Sequence, residues 1–130
     1  MATIPYKLRI LVIEDNPDNS DLLKILLEKT GYDVHVAIDG KAGLEKAHQI
    51  QPDLILLDLA LPEMDGWTLA HQLKNDILTQ NIPIVAISAH SMKKAQYGAL
   101  EAGCDAFISK PFSNAAFNKV IKKFLYKSLP

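Results

Sequence analysis

Four short apolar runs, Ile10 to Ile13, Leu54 to Leu57, Ile84 to Ile87 and Ala106 to Ser109, are each followed at once by a residue able to do chemistry. Those residues are Glu14 with Asp15, then Asp58, Ser88 and Lys110. Brought together, they supply three carboxylates, one hydroxyl and one ammonium. Close carboxylates repel and resist ionising together, so the group costs stability unless a cation neutralises it. Mg²⁺ suits such a group: it takes hard oxygen ligands, keeps several waters and binds through one or two carboxylates plus phosphate oxygens. The chemistry implied is metal-assisted phosphoryl transfer. Asp58 attacks phosphorus, Mg²⁺ and Lys110 offset charge on the transferring group, and Ser88 donates a hydrogen bond to a phosphoryl oxygen.

That chemistry requires the four runs to be parallel strands ending at one rim, with the rest of the chain supplying the crossovers. Leu8 to Ile13 is short, apolar and β-branched, and it ends at Glu14-Asp15-Asn16-Pro17. Asn16 suits the cap of a following helix and Pro17 its first position, where a missing amide donor costs nothing. Leu22, Leu23, Ile25, Leu26 and Leu27 give this helix a broad apolar face, and Gly31 stops it. Tyr32 to Ala37 alternates like a half-buried edge strand, and Asp39-Gly40 turns into a short helix carrying Ala42, Leu44 and Ala47. Leu54 to Leu57 suits a central strand covered on both faces. After the Pro62 to Gly66 loop, Trp67, Ala70, Leu73 and Ile77 recur at helical spacing, and Pro83 introduces the strand Ile84 to Ile87. Ser91 to Ala102 reads as a weaker helix ending at Gly103, with Met92, Ala95, Ala99 and Ala102 as a sparse stripe. Ala106 to Ser109 is the last strand, and Phe117, Val120, Ile121, Phe124 and Leu125 stripe a final amphipathic helix. Five strand-helix alternations predict a doubly wound parallel α/β sheet, whose ligand crevice lies beyond the carboxyl ends of its strands.

Composition bounds the partners. At 130 residues and 14.4 kDa, one domain spanning residues 1–130 is expected, with its core over about 8–127. Hydrophobic residues at 48% and charged ones at 22% describe a globular chain rather than a disordered one. With Cys104 as sole cysteine, an intrachain disulfide and a multi-thiolate metal site are excluded, which suits a reducing compartment. The apolar runs are too short to cross a bilayer and Met1 to Ile10 lacks a signal-peptide pattern, so a cytoplasmic protein is expected. Formal net charge is −1 overall, but it divides into −6 over residues 1–90 and +5 over 91–130. A pervasively basic nucleic-acid surface is not indicated, whereas a positive late face suits an acidic partner.

The strings LVIEDNPDN, LILLDLALPEMDGW, IVAISAH and AGCDAFISKPF together resemble the response-regulator receiver domains of two-component signalling, of the stand-alone CheY-like or DivK-like kind. The resemblance implies a (βα)5 flavodoxin-like sheet with strand order 2-1-3-4-5. It implies Glu14 and Asp15 as the acidic pair, Asp58 as the phosphorylated aspartate, and Ala60 as the residue whose backbone carbonyl completes the Mg²⁺ shell, with Mn²⁺ able to substitute. By the same likeness Ser88 is the hydroxyl that moves toward the phosphoryl group, Lys110 the invariant lysine in a cis bond to Pro111, and Phe107 the aromatic that follows Ser88. Many relatives have tyrosine where this chain has Phe107; phenylalanine can swing and bury but supplies no phenolic hydrogen bond. The implied partners are a histidine kinase or histidine phosphotransfer protein as donor. The implied output is a protein target at the face of the fourth helix, fifth strand and fifth helix, without direct nucleic-acid binding or a membrane.

Simpler readings compete for several residues. Glu14 and Asp15 also suit the positive end of a helix, and Asp58, Ser88 and Lys110 taken singly are ordinary loop residues. His90, two residues beyond Ser88, reads as a variable loop residue, and His35, His48 and His71 lack metal-ligand spacing. Cys104 reads as a small core residue, Trp67 as helix packing, and Lys119, Lys122, Lys123 and Lys127 as a solvated or partner-facing edge. Two other functions fit less well. A phosphorylation-independent interaction module has no need of the whole acidic, Ser and Lys set. A haloacid-dehalogenase-type phosphatase normally places an acid or base two residues after its aspartate, where this chain has Ala60. The expected activity is self-catalysed phosphoryl uptake and loss, not turnover of a metabolite.

Overall fold

The computed structural model describes residues 7–59, 61, 66–88, 98–110 and 112–127, and in them strand and helix alternate as the patterning requires. The chain runs β1 (Arg9–Ile13), α1 (Pro17–Thr30), β2 (Asp33–Ala37), α2 (Gly40–Ile50), β3 (Leu54–Asp58), α3 (Gly66–Lys74) and β4 (Ile84–Ser88). Helical residues 98–101, the described part of α4, lead to β5 (Ala106–Ser109) and α5 (Asn114–Lys127). All neighbouring strands pair in parallel, in the order β2-β1-β3-β4-β5. Every carboxyl end therefore opens on the same rim.

Local signals account for the helix ends. The Asn16 side chain accepts from the amides of Asp18 and Asn19 at 2.9 and 3.2 Å, directly before Pro17. Gly31, at φ 105°, closes α1 in the left-handed region, where a side chain would be strained. Asp39 is itself the cap of α2, accepting from the Ala42 amide at 2.8 Å, so Gly40 belongs to the helix and not to a turn.

The sheet separates two apolar layers. On one face Ile10, Val12, Leu54, Leu56, Val85 and Ile87 pack with Leu23 and Leu27 of α1 and Phe117, Ile121 and Leu125 of α5. On the other, Leu11, Ile13, Ile55, Leu57, Ile84 and Ala86 pack with α2, α3 and Ala99 of α4. The alternation of these sets along each strand is the two-residue period of a strand covered on both faces. Along the open edge, Lys46 of α2 donates to the Val36 carbonyl, covering part of β2 against pairing with another chain.

Two expectations about packing need correction. The apolar face of α1 is narrower than its leucines suggest: Leu22 and Ile25 are each 58% exposed, while Leu23 and Leu27 are buried. At 100° per residue, Leu22 and Ile25 point away from the stripe that a sheet can cover. Ile77 is not a helix-packing residue, because α3 ends at Lys74 and Ile77 lies in the following turns, 82% exposed. Cys104 is buried beside α4, as a small core residue should be, and burial pushes its thiol up to about 12. Among the described residues no helix is long and apolar enough to cross a membrane.

Candidate functional site

Strand parity decides which of the five groups share a side of the rim. Glu14 continues the phase of Ile10 and Val12, Asp58 that of Leu54 and Leu56, and Lys110 that of Ala106 and Ile108, all facing α1 and α5. Val12, Leu23, Leu56 and Ile87 form an apolar floor beneath Glu14, Asp58 and Lys110. Ser88 has the opposite parity, that of Ile84 and Ala86. It is held by the last pairing of the sheet, with Ser109, and its carbonyl accepts from the Lys110 amide at 2.8 Å. Phe107, in register with Ala86, lies on the same sheet face as Ser88 and packs partly buried against that layer.

The carboxylates meet as anticipated. Glu14, Asp15 and Asp58 each bring an oxygen within 4.8 Å of the others. They do so from unequal surroundings: Glu14 is 1% exposed, Asp58 half-buried and Asp15 exposed. The Lys110 ammonium lies 3.4 Å from Glu14 Oε1, joining positions 96 residues apart. The Asn16 amide donates to Glu14 Oε2 at 3.4 Å, so the residue that caps α1 also steadies the buried carboxyl. Burial pushes the Glu14 carboxyl from its ordinary 4.5 up to about 7, with a hydrogen bond to Asp58 and the Asp58 charge adding to the rise and Lys110 opposing it. An acid whose affinity for a proton is raised first by burial and then by a neighbouring carboxylate is a place where a divalent cation can take the proton's role. The donor set thus fits Mg²⁺: hard oxygens on three side chains, one buried and one open to water.

Ala60, Pro111 and His90, and the first part of the helix expected from Ser91, lie outside the described residues. Two features of the site escaped the motif-based reading. Lys110 is paired to Glu14, a contact that no local pattern announces across 96 residues. Gly66 is pressed onto the end of β3: a Cβ there would lie 2.9 Å from the Asp58 carbonyl oxygen. The glycine at the mouth of α3, inside PEMDGW, was the available signal for the second.

Comparison with known proteins agrees with this geometry. The family described as "Response regulator receiver domain" matches residues 10–122. The DNA-binding dual master transcriptional regulator RpaA of Synechocystis sp. is 44% identical over 104 residues, which cover 80% of this chain but 43% of RpaA. The polar-differentiation response regulator DivK of Brucella anthropi is 37% identical over 116 residues, covering 89% of this chain and 94% of DivK. Among solved structures, the receiver domain of a sensor histidine kinase from Pseudomonas aeruginosa superposes with a TM-score of 0.86 at 27% identity, covering 93% of this chain and 99% of that one. That domain was crystallised with a magnesium ion coordinated in its active-site cleft.

Proposed function

The chain belongs to the response regulator receiver family, and from that premise we propose that it is a phosphorylation-dependent switch whose phosphoacceptor is Asp58. The observation that carries this reading is the meeting of Glu14, Asp15 and Asp58 within 4.8 Å, with the Lys110 ammonium 3.4 Å from Glu14. The donor is a phosphohistidine on a histidine kinase or phosphotransfer protein. An Asp58 oxygen attacks phosphorus, the phosphorus–nitrogen bond breaks, the imidazole leaves with the bond's electron pair, and an aspartyl phosphate remains.

Glu14, Asp15 and Asp58, with the Ala60 carbonyl, are the groups that would hold Mg²⁺, which when bound neutralises charge on the phosphoryl oxygens. Lys110 holds a fixed positive charge at the rim, and Ser88 offers a hydroxyl to a phosphoryl oxygen. Drawing Ser88 and Lys110 inward leaves room for Phe107 on the same sheet face, which reshapes the surface of α4, β5 and α5. Lys119, Lys122 and Lys123 are exposed on α5, so this surface favours an acidic protein partner.

Incubation with acetyl phosphate and Mg²⁺, followed by intact mass and peptide mapping, should place one phosphoryl group on Asp58 in the wild-type chain and none in Asp58→Asn. Wild-type protein that takes up no phosphoryl group from any donor, and binds Mg²⁺ no better than its triple-alanine variant at Glu14, Asp15 and Asp58, would refute the reading.

A further inference from the structure

The sole tryptophan, Trp67 of α3, lies against Gly98 of α4 and directly follows a glycine pressed onto the end of β3. Immediately before it, Gly66 sits so close to β3 that a Cβ would lie 2.6 Å from Leu59 Cα and 2.9 Å from the Asp58 carbonyl oxygen. The Gly66 amide also donates to the Leu59 carbonyl at 3.2 Å. With no side chain between the two backbones, the first turn of α3 and the Asp58-Leu59 peptide must move together. On its other side, the Trp67 indole lies against Gly98 of α4, where a Cβ would meet Nε1 at 2.7 Å and Cδ1 at 3.3 Å. The indole N–H is buried there and has no acceptor among the described residues. A buried donor without a partner is costly, and a small separation of α3 from α4 relieves that cost by admitting water.

We propose that Trp67 is a positioning residue that couples phosphorylation of Asp58 to the seating of α4: the indole rests on Gly98 in the unphosphorylated chain and leaves it when Asp58 is phosphorylated. The inference rests on Asp58 being the phosphoacceptor. Its direction follows from the contacts. Charge added at the end of β3 displaces the peptide on which Gly66 is pressed, and the seat with the unpaired N–H is the contact most easily given up. This link runs through β3, α3 and α4, apart from Ser88 and Phe107 on β4 and β5. Coupling between two sites is reciprocal in binding free energy, so altering the seat alters the affinity of the phosphoryl site.

Two substitutions of opposite predicted sign test this on the full chain with Mg²⁺ present. Gly98→Ala places a methyl group against the indole and disfavours the seat, so it should tighten binding of beryllium fluoride, an acyl-phosphate mimic, by about fivefold. Trp67→Phe keeps an aromatic ring over Gly98 but removes the unpaired donor, so it should weaken that binding by about fivefold. Calorimetric titration reads both. In the wild type, where Trp67 is the only tryptophan, phosphorylation by acetyl phosphate should shift its emission to longer wavelength and increase quenching by acrylamide, whereas Asp58→Asn should show neither change. Affinities that move in the same direction in the two variants, or that do not move, overturn the proposal. So does unchanged emission in a chain that intact mass shows to be phosphorylated, and this last readout decides the matter even if a variant fails to fold. In those cases the phosphoacceptor reading stands, whereas absence of phosphoryl uptake by the wild type brings down both.

Discussion

Glu14 sits where the folded chain holds a proton more tightly than the unfolded chain does, because burial and the neighbouring Asp58 raise its carboxyl from 4.5 to about 7. The sign of the consequence follows from linkage. The stability this group contributes is full below 4.5 and is lost as pH rises through about 7, since over that window the folded state binds more protons. The metal-free melting temperature should therefore decline across the window, and the decline should be smaller in Glu14→Gln. A divalent cation competes for the same carboxyl, so Mg²⁺ affinity should climb with pH up to about 7 and then level off. Mg²⁺ titrations at several pH values in wild type and Glu14→Gln check this; parallel profiles in the two proteins would assign the dependence to another group. Lys110 is paired to Glu14 at 3.4 Å, and in the proposed function its part is to offset charge rather than to attack. Lys110→Ala should retain part of the phosphoryl uptake, read by intact mass, and lose most of the conformational response, read as the change in Trp67 emission on phosphorylation.

At the scale of elements, the helices were readable where a local device fixes them and less so where a neighbour does. Asn16-Pro17 and Gly31 bound α1 because a cap, a first-turn proline and a left-handed glycine act within a few residues. The buried stripe of α1 was overdrawn, since five apolar residues suggested a broad face and the sheet covers chiefly Leu23 and Leu27. That difference is measurable. Leu23→Ala should cost about 2–5 kcal/mol in urea unfolding, as a large-to-small change in a core does. Leu22→Ala, at a position 58% exposed, should stay within about 0.5 kcal/mol. Equal effects would mean that α1 is rotated about its axis relative to this structure. The spacing that carried the α3 pattern on to Ile77 failed for a related reason: the chain leaves the helix at Lys74, and Thr79 anchors the following turns through its hydroxyl to the Leu73 carbonyl at 2.6 Å.

Over the whole molecule the two ends of the sheet are built differently. At the amino ends, Lys74 donates to the Ile82 carbonyl at 2.8 Å and to Asp105 at 3.0 Å, while Asp105 accepts from the Ile84 amide at 2.8 Å. These contacts satisfy one another and tie the loops before β4 and β5 together. At the carboxyl ends, three carboxylates meet within 4.8 Å of one another and Lys110 pairs with Glu14 at 3.4 Å, so acidic groups face each other across the rim. A ligand that binds only the folded chain stabilises it by mass action, about 2.7 kcal/mol at a hundred times its dissociation constant. Mg²⁺ should accordingly raise the melting temperature of the wild type, and should leave the triple-alanine variant at Glu14, Asp15 and Asp58 unchanged. A rise of the same size in both would place the ion elsewhere.

The order of elements, their caps and the positions of Glu14, Asp15, Asp58, Ser88 and Lys110 at strand ends were set by the sequence itself, because each is written in periodicity and turn chemistry over a dozen residues or fewer. Folding in three dimensions decided the rest. It buried Glu14 and left Asp15 in water, gave Lys110 to Glu14, turned Leu22 and Ile25 outward, and brought the Trp67 indole onto Gly98. Each of these depends on what a distant segment places opposite, and burial, charge pairing and close contact are properties of two surfaces that a one-dimensional pattern describes only one at a time.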